Sequence, residues 1–119
     1  MKITLTGNPI STGTIYRSTA RGIHYMTKRG KDRKEQYMWE AKSQWKGEPL
    51  TEELQVDIRL YFETKRKADW DNFHKISMDA LQGIVFENDS QIKIARVEKF
   101  YDKENPRIEI YLTQLINHD

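Results

Sequence analysis

Cysteine is absent from this 119-residue chain, which excludes disulfides and thiolate zinc sites and fits a cytoplasmic setting. Proline and glycine are scarce, at three and six residues, and no internal repeat, low-complexity segment or linker is found. No apolar run approaches the roughly 18 residues of a membrane span, so no membrane partner is expected. Nor does an apolar block of signal-peptide length follow Met1-Lys2-Ile3-Thr4-Leu5, which reads instead as a strand. An excess of charge is missing too. Twenty Lys and Arg against 18 Asp and Glu leave a net charge of +2, and that balance makes no case for nucleic acid. What is present is 37% apolar and 11% aromatic residues, enough for one packed core, with a length that suits a single domain over 1–119.

The distribution of charge says more than its sum. Lys28, Arg29, Lys31, Arg33 and Lys34 crowd together against Asp32 alone, and Lys65-Arg66-Lys67 forms a second block. Such clusters can meet DNA phosphates while acids elsewhere balance the total, although a solvated face produces similar runs.

Periodicity predicts the elements. Ile3 and Leu5 alternate with Lys2, Thr4 and Thr6 in a first strand that stops at Asn8-Pro9. Residues 9–22 read as a loop and 22–27 as a short extended piece. A helix is expected from near Gly30 to Lys46-Gly47, with Tyr37, Met38, Ala41 and Trp45 as its apolar stripe and Trp39 off it. Between Glu53 and Glu63, Leu54, Val56, Ile58, Leu60 and Phe62 point one way and polar residues the other, as in a sheet covered on one face. A second helix is expected at about Asp71 to Gln82, with a core stripe of Phe73, Ile76, Ala80, Leu81 and Ile84, and with Asp71, Lys75 and Asp79 on another face. The extended run Gln91 to Tyr101 breaks phase, which suggests a bulge or a twist. After Lys103-Glu104-Asn105-Pro106 a last strand carries Ile108, Ile110 and Leu112, and the short connection favours an antiparallel hairpin. The expected fold is α+β: a mostly antiparallel sheet of about four strands with two helices on one face.

The chemistry is concentrated in Lys65-Arg66-Lys67-Ala68-Asp69-Trp70-Asp71-Asn72-Phe73-His74-Lys75 and in Glu87-Asn88-Asp89. If Asp69 and Asp71 leave a strand, their carboxylates share a side; if Asp71 opens a helix, it caps the positive end of the dipole. Mg²⁺ takes one or two protein carboxylates and leaves room for substrate phosphate. Asp69, Asp71 and Asp89 can supply these, and Lys75 can neutralise charge on a phosphate in flight. Taken alone, the D-x-D pair fits plain capping and a surface Lys75–Asp79 pair as well. His24, His74 and His118 have no metal-ligand spacing among themselves. Trp39 and Trp45 suit a core or a dimer contact, and Trp70 reads as a packing anchor facing away from the aspartates.

The run Asp69-Trp-Asp71-Asn72-Phe-His-Lys75-Ile-Ser-Met-Asp79-Ala80-Leu81, followed by Asn88-Asp89-Ser-Gln91-Ile92, resembles the signature of RusA-type Holliday junction resolvases. The resemblance implies a homodimeric, Mg²⁺-dependent endonuclease of DNA recombination and repair, of a kind typical of phages and prophages, with Mn²⁺ as the alternative ion. An enzyme of that kind is expected to nick four-way junctions symmetrically. The resemblance also implies that Asp69, Asp71 and Asp89 hold the metal and that Lys75 lies near the scissile phosphate, with structural roles for Asn72 and Asp79. Near the start, Asn8-Pro9-Ile10-Ser11-Thr12-Gly13-Thr14-Ile15-Tyr16 keeps the Pro, Ser and Tyr of a P-x-S-x-N-plus-aromatics element but lacks its Asn, and Ala68 stands where a basic residue often precedes the first aspartate. Two other functions fit the same residues: a non-catalytic DNA-binding protein, and a branched-DNA nuclease with looser structure preference. One acidic cluster per chain and two nicks per junction call for a two-fold dimer, with Trp39, Trp45 and Tyr61 as candidates for its surface.

Overall fold

The computed structural model describes residues 1–65, 69, 70 and 72–116. Its main sheet contains β1 (Lys2–Thr6), β4 (Leu54–Phe62), β5 (Ile92–Tyr101) and β6 (Arg107–Gln114) in the order β1-β6-β4-β5. A separate two-stranded sheet pairs β2 (Tyr16–Ser18) with β3 (His24–Met26). Among the described residues the helices are α1 (Thr12–Ile15), α2 (Lys28–Gln44) and α3 (Lys75–Leu81), with a 3₁₀ turn at Asp89–Gln91. The α+β class holds, and β4 alternates as the sequence predicts.

The sheet, however, is mixed. β6 runs antiparallel to both β1 and β4, whereas β4 and β5 are parallel. The predicted β5–β6 hairpin is absent, because β4 lies between the two strands. Two strand spacings are only about 10 Å, which a short link spans easily. The link crosses the end of β4, where the Asp102 N–H donates to the Phe62 carbonyl at 2.8 Å. A parallel neighbour needs a crossover, and α3 sits in it. The phase break in β5 is a bulge: Leu54 pairs with Ile92 but Gln55 with Ile94, leaving Lys93 extra.

One face of the sheet forms the core with the helices. Ile3, Leu5, Leu54, Val56, Ile58, Leu60, Ile108, Ile110 and Leu112 are buried there with Tyr37 and Ala41 of α2 and Ile76, Ala80 and Leu81 of α3. Met38 and Trp45 pack at its margin. α2 begins at Lys28, two residues earlier than predicted, because the Thr27 side chain caps it by accepting from the Gly30 N–H. The other face carries ion pairs and aromatics in register. Arg59 meets Glu98, Arg96 meets Asp57, and Tyr61 stacks on Phe100 at 4.9 Å. Glu109, only 6% exposed, accepts from Arg107 and Tyr111 at 2.8 Å each. No helix among the described residues is long and apolar enough to cross a membrane.

Candidate active site

β4 and α3 place the acidic segment between them. Phe62, at the end of β4, packs edge-on against Phe73 at 5.0 Å, an aromatic contact worth about 0.5–1.5 kcal/mol. Helix α3 then starts at Lys75, not at Asp71 as the spacing predicts. The Asn72 carbonyl explains the late start. It accepts from the Thr12 N–H at 2.8 Å and from the Thr12 hydroxyl at 3.0 Å, so α1 takes the acceptor that an earlier first turn would use. Asn72 also closes a turn by donating its N–H to the Asp69 carbonyl at 3.3 Å. Asp71 lies outside the described residues.

Helix α3 buries Ile76, Ser77, Ala80 and Leu81, which turns Lys75 and Asp79 to the opposite side. Their i,i+4 pair closes at 3.4 Å. Tyr16 joins it, donating its hydroxyl to Asp79 Oδ2 at 3.3 Å while the Lys75 ammonium lies 5.8 Å from its ring centroid. Burial first, and then the Asp79 carboxylate, push the Tyr16 phenol above its ordinary pKa. Lys75 is thus held from two sides with its ammonium at the rim of the helix.

Asp89 arrives from the opposite direction and is fixed through its backbone. Its N–H donates to Gln82 Oε1 at 3.0 Å. Asn88 and Gln91 form a capping box around it, with the Asn88 N–H on Gln91 Oε1 at 2.8 Å. The Gln91 amide nitrogen then donates to the carbonyls of Leu50 and Glu52, at 2.8 and 2.9 Å, just ahead of β4. This side chain ties the turn to the sheet and leaves the Asp89 carboxylate exposed.

Thr12, Asn72, His74, Lys75, Met78, Asp79 and Asp89 line one open cleft of about 400 Å³. The structure therefore brings together Lys75, Asp79 and Asp89, with Asp69 one turn beyond Asn72. The described residues by themselves contain no group of three His, Asp or Glu side chains that could hold a metal; the set expected from the sequence includes Asp71. The donor chemistry nonetheless suits a hard cation. Asp69 and Asp89 are exposed, and neither carboxylate has a hydrogen bond or ion pair among the described residues, whereas Asp79 is committed to Lys75 and Tyr16. Oxygen donors with free lone pairs beside a cleft are what Mg²⁺ requires.

The basic candidates divide. Lys28, Arg29 and Lys31 are exposed at the start of α2, and Lys34 is half-buried. Arg33 turns inward, donating to the Asn8 carbonyl at 2.6 Å and the Tyr37 hydroxyl at 3.1 Å. Lys65 lies 5.2 Å from the Tyr101 ring centroid; Arg66 and Lys67 lie outside the described residues, as does His118. Trp70 is not a packing anchor: it is 59% exposed in the turn before Asn72. Trp39, 65% exposed, sits off the core stripe as predicted, while Trp45 is half-buried and donates to the Glu48 carbonyl at 3.0 Å. His24 pairs with Ser18 at 2.7 Å, away from the cleft.

Sequence reasoning gave Thr12 no role, since it lies in a stretch without periodicity, and noted Tyr16 only as a retained aromatic of the N-terminal element. Gln91 was visible only as part of a motif, without a role.

The sequence profile of the family Endodeoxyribonuclease RusA matches residues 6–113. A protein of Bacillus subtilis (strain 168) named uncharacterized protein YqaN is 26% identical, with 97% of this chain and 96% of that protein covered. Crossover junction endodeoxyribonuclease RusA of Aquifex aeolicus (strain VF5) is 34% identical over 67 residues, which cover 52% of this chain and 53% of that protein.

Proposed function

This chain belongs to the RusA endodeoxyribonuclease family, and from that premise we propose that it resolves Holliday junctions by paired, symmetric nicks in DNA recombination and repair. The observation that carries this reading is that one cleft holds Lys75, Asp79 and Asp89 beside Asn72. Asp69, Asp71 and Asp89 would hold Mg²⁺, which when bound orients a water and withdraws charge from the scissile phosphate. Lys75 lies where it can meet a phosphate oxygen. Asp79 pairs with the ammonium, the Tyr16 ring lies beside it and the Tyr16 hydroxyl holds Asp79, so its position is set before DNA arrives. Gln91 keeps the Asp89 turn against the start of β4, so that acid need not be ordered on binding.

DNA approaches along the basic start of α2, through Lys28, Arg29 and Lys31, and along the second basic block with Lys65. Two opposed nicks need two copies of this cleft in fixed relation, which a two-fold dimer supplies from one self-complementary surface. Exposed Trp39 is the first candidate for that surface; Tyr61, already stacked on Phe100 and covered by Arg107, is a weaker one.

The deciding experiment incubates the protein with an immobile four-way junction, with and without Mg²⁺, and with the Asp89→Asn variant. Paired nicks that need Mg²⁺ and vanish in Asp89→Asn, with junction binding retained, are the expected result. Binding without any nick in wild type would leave a DNA-binding protein. Equal cutting of flaps and forks would leave a looser branched-DNA nuclease.

A further inference from the structure

Every residue from Arg17 to Tyr25 is exposed. These residues join β2 to β3 in a hairpin with its own short sheet, and its tip is closed by three bonds. The Thr19 N–H donates to the Ile23 carbonyl at 2.8 Å, the Gly22 N–H to the Thr19 carbonyl at 3.0 Å, and the Ile23 N–H to the Thr19 hydroxyl at 3.2 Å. Gly22 takes φ +78°, the left-handed residue that a three-residue hairpin loop needs. At its base, Tyr16 and Met26 pack on the core, and Tyr16 reaches Asp79 in the cleft. The hairpin is therefore stiff at the tip and anchored at the candidate active site.

Its register pairs Arg17 with Tyr25, and strand alternation puts Arg17, Ile23 and Tyr25 on the side away from Tyr16 and Met26. Ile23 is 60% exposed and Tyr25 50%. The charges nearest them along the chain are basic: no Asp or Glu precedes Asp32, while Arg17 and Arg21 lie in the hairpin and Lys28, Arg29 and Lys31 follow it. An apolar tip that carries two arginines suits a partner that offers both flat aromatic faces and phosphates. Unstacked nucleobases do so, and an aromatic ring stacks on any of them. The interior of a linear duplex presents no free base face; a branch point does.

We propose that this hairpin enters the branch point of the DNA and stacks Tyr25 on a base there, with Ile23 beside it and Arg17 and Arg21 on the flanking phosphates. The proposal rests on branched DNA being the substrate. It makes the hairpin the element that distinguishes a branch from a duplex, at a spacing from the cleft set by Tyr16.

The test measures affinity for an immobile four-way junction and for a linear duplex of the same arm sequence, without divalent ions, using wild type, Tyr25→Ala and Tyr25→Phe. A 2-aminopurine placed at the branch point reports stacking. Tyr25→Ala should lower the ratio of junction to duplex affinity by roughly 5- to 150-fold, the range carried by one aromatic–base stack, and should abolish the 2-aminopurine response. Tyr25→Phe should keep both. If wild type prefers the junction and Tyr25→Ala keeps that preference, the hairpin has no such role while the branched-DNA reading stands. If wild type binds junction and duplex alike, the branched-DNA reading fails, and the hairpin proposal with it. Loss of self-association in Tyr25→Ala with an unchanged affinity ratio would reassign the tip to a second copy of the chain and overturn the proposal.

Discussion

Replacing Gly30 by Ala sets two effects of opposite sign against each other. Glycine in a helix is worth up to about 1 kcal/mol less than alanine, so local propensity alone makes the change stabilising. The packing opposes it. A Cβ at Gly30 would lie 2.8 Å from Ile15 Cγ2, 2.9 Å from the Ile15 carbonyl oxygen and 3.1 Å from its Cα. Two of those atoms are backbone and cannot rotate away. Nor can the backbone shift freely, because the Thr27 N–H donates to that same Ile15 carbonyl at 2.6 Å and the Thr27 hydroxyl to the Thr14 carbonyl at 2.8 Å. Overpacking costs about 1–3 kcal/mol, and backbone contacts put this case near the upper end. The net should be a loss of about 2 kcal/mol. For a domain of this size that lowers Tm by roughly 8 °C. Thermal unfolding followed by circular dichroism reads it directly. A Tm equal to or above that of wild type would show that α1 and α2 can separate cheaply, and would remove the reason for a glycine there.

Replacing Lys28, Arg29 and Lys31 together by Ala should reduce the slope of log affinity against log salt by roughly 2–3, near 0.9 per lost phosphate contact; an unchanged slope returns the start of α2 to a solvated face. Adding Arg33→Ala instead should lower stability, since its guanidinium bonds Asn8 and Tyr37. Glu109 supplies a pH dependence. Burial works to raise its pKa, but the Arg107 and Tyr111 hydrogen bonds and the Lys2 charge outweigh it and hold the carboxyl below the ordinary glutamate value of 4.5. A depressed folded pKa means stability that is present above the unfolded value and lost as pH falls through the folded one. Denaturant midpoints of wild type should therefore exceed those of Glu109→Gln at pH 7, with the gap closing below about pH 4.5; a constant gap down to pH 3 would contradict the assignment.

Much of the candidate site is legible without coordinates because its residues are close in sequence. Helical spacing alone puts Lys75 and Asp79 on one face, and a long spaced signature singles out Asp69, Asp71 and Asp89 as candidates, of which the cleft contains Asp89. The alternation of β4 and the stripe of α2 follow likewise from period and composition, which act within a few residues.

Tertiary structure decided what depends on partners far along the chain. Alternation states which side of a strand is buried, not which strand lies beside it, so β6 could enter between β1 and β4 without leaving a sign in Arg107–Gln114. A short β5–β6 link is compatible with neighbours or with strands two places apart. The inward turn of Arg33, the bonds of Gln91 to Leu50 and Glu52, and the claim of Thr12 on the Asn72 carbonyl are likewise long-range. Charge and polarity alone fix none of them, because a hydrogen-bonding side chain has no preferred partner until packing brings one within reach. The hairpin from Tyr16 to Met26 shows the same limit. Its residues carry no period of burial, since almost all of them face water, and only the strand pairing and the Tyr16 anchor give it a shape.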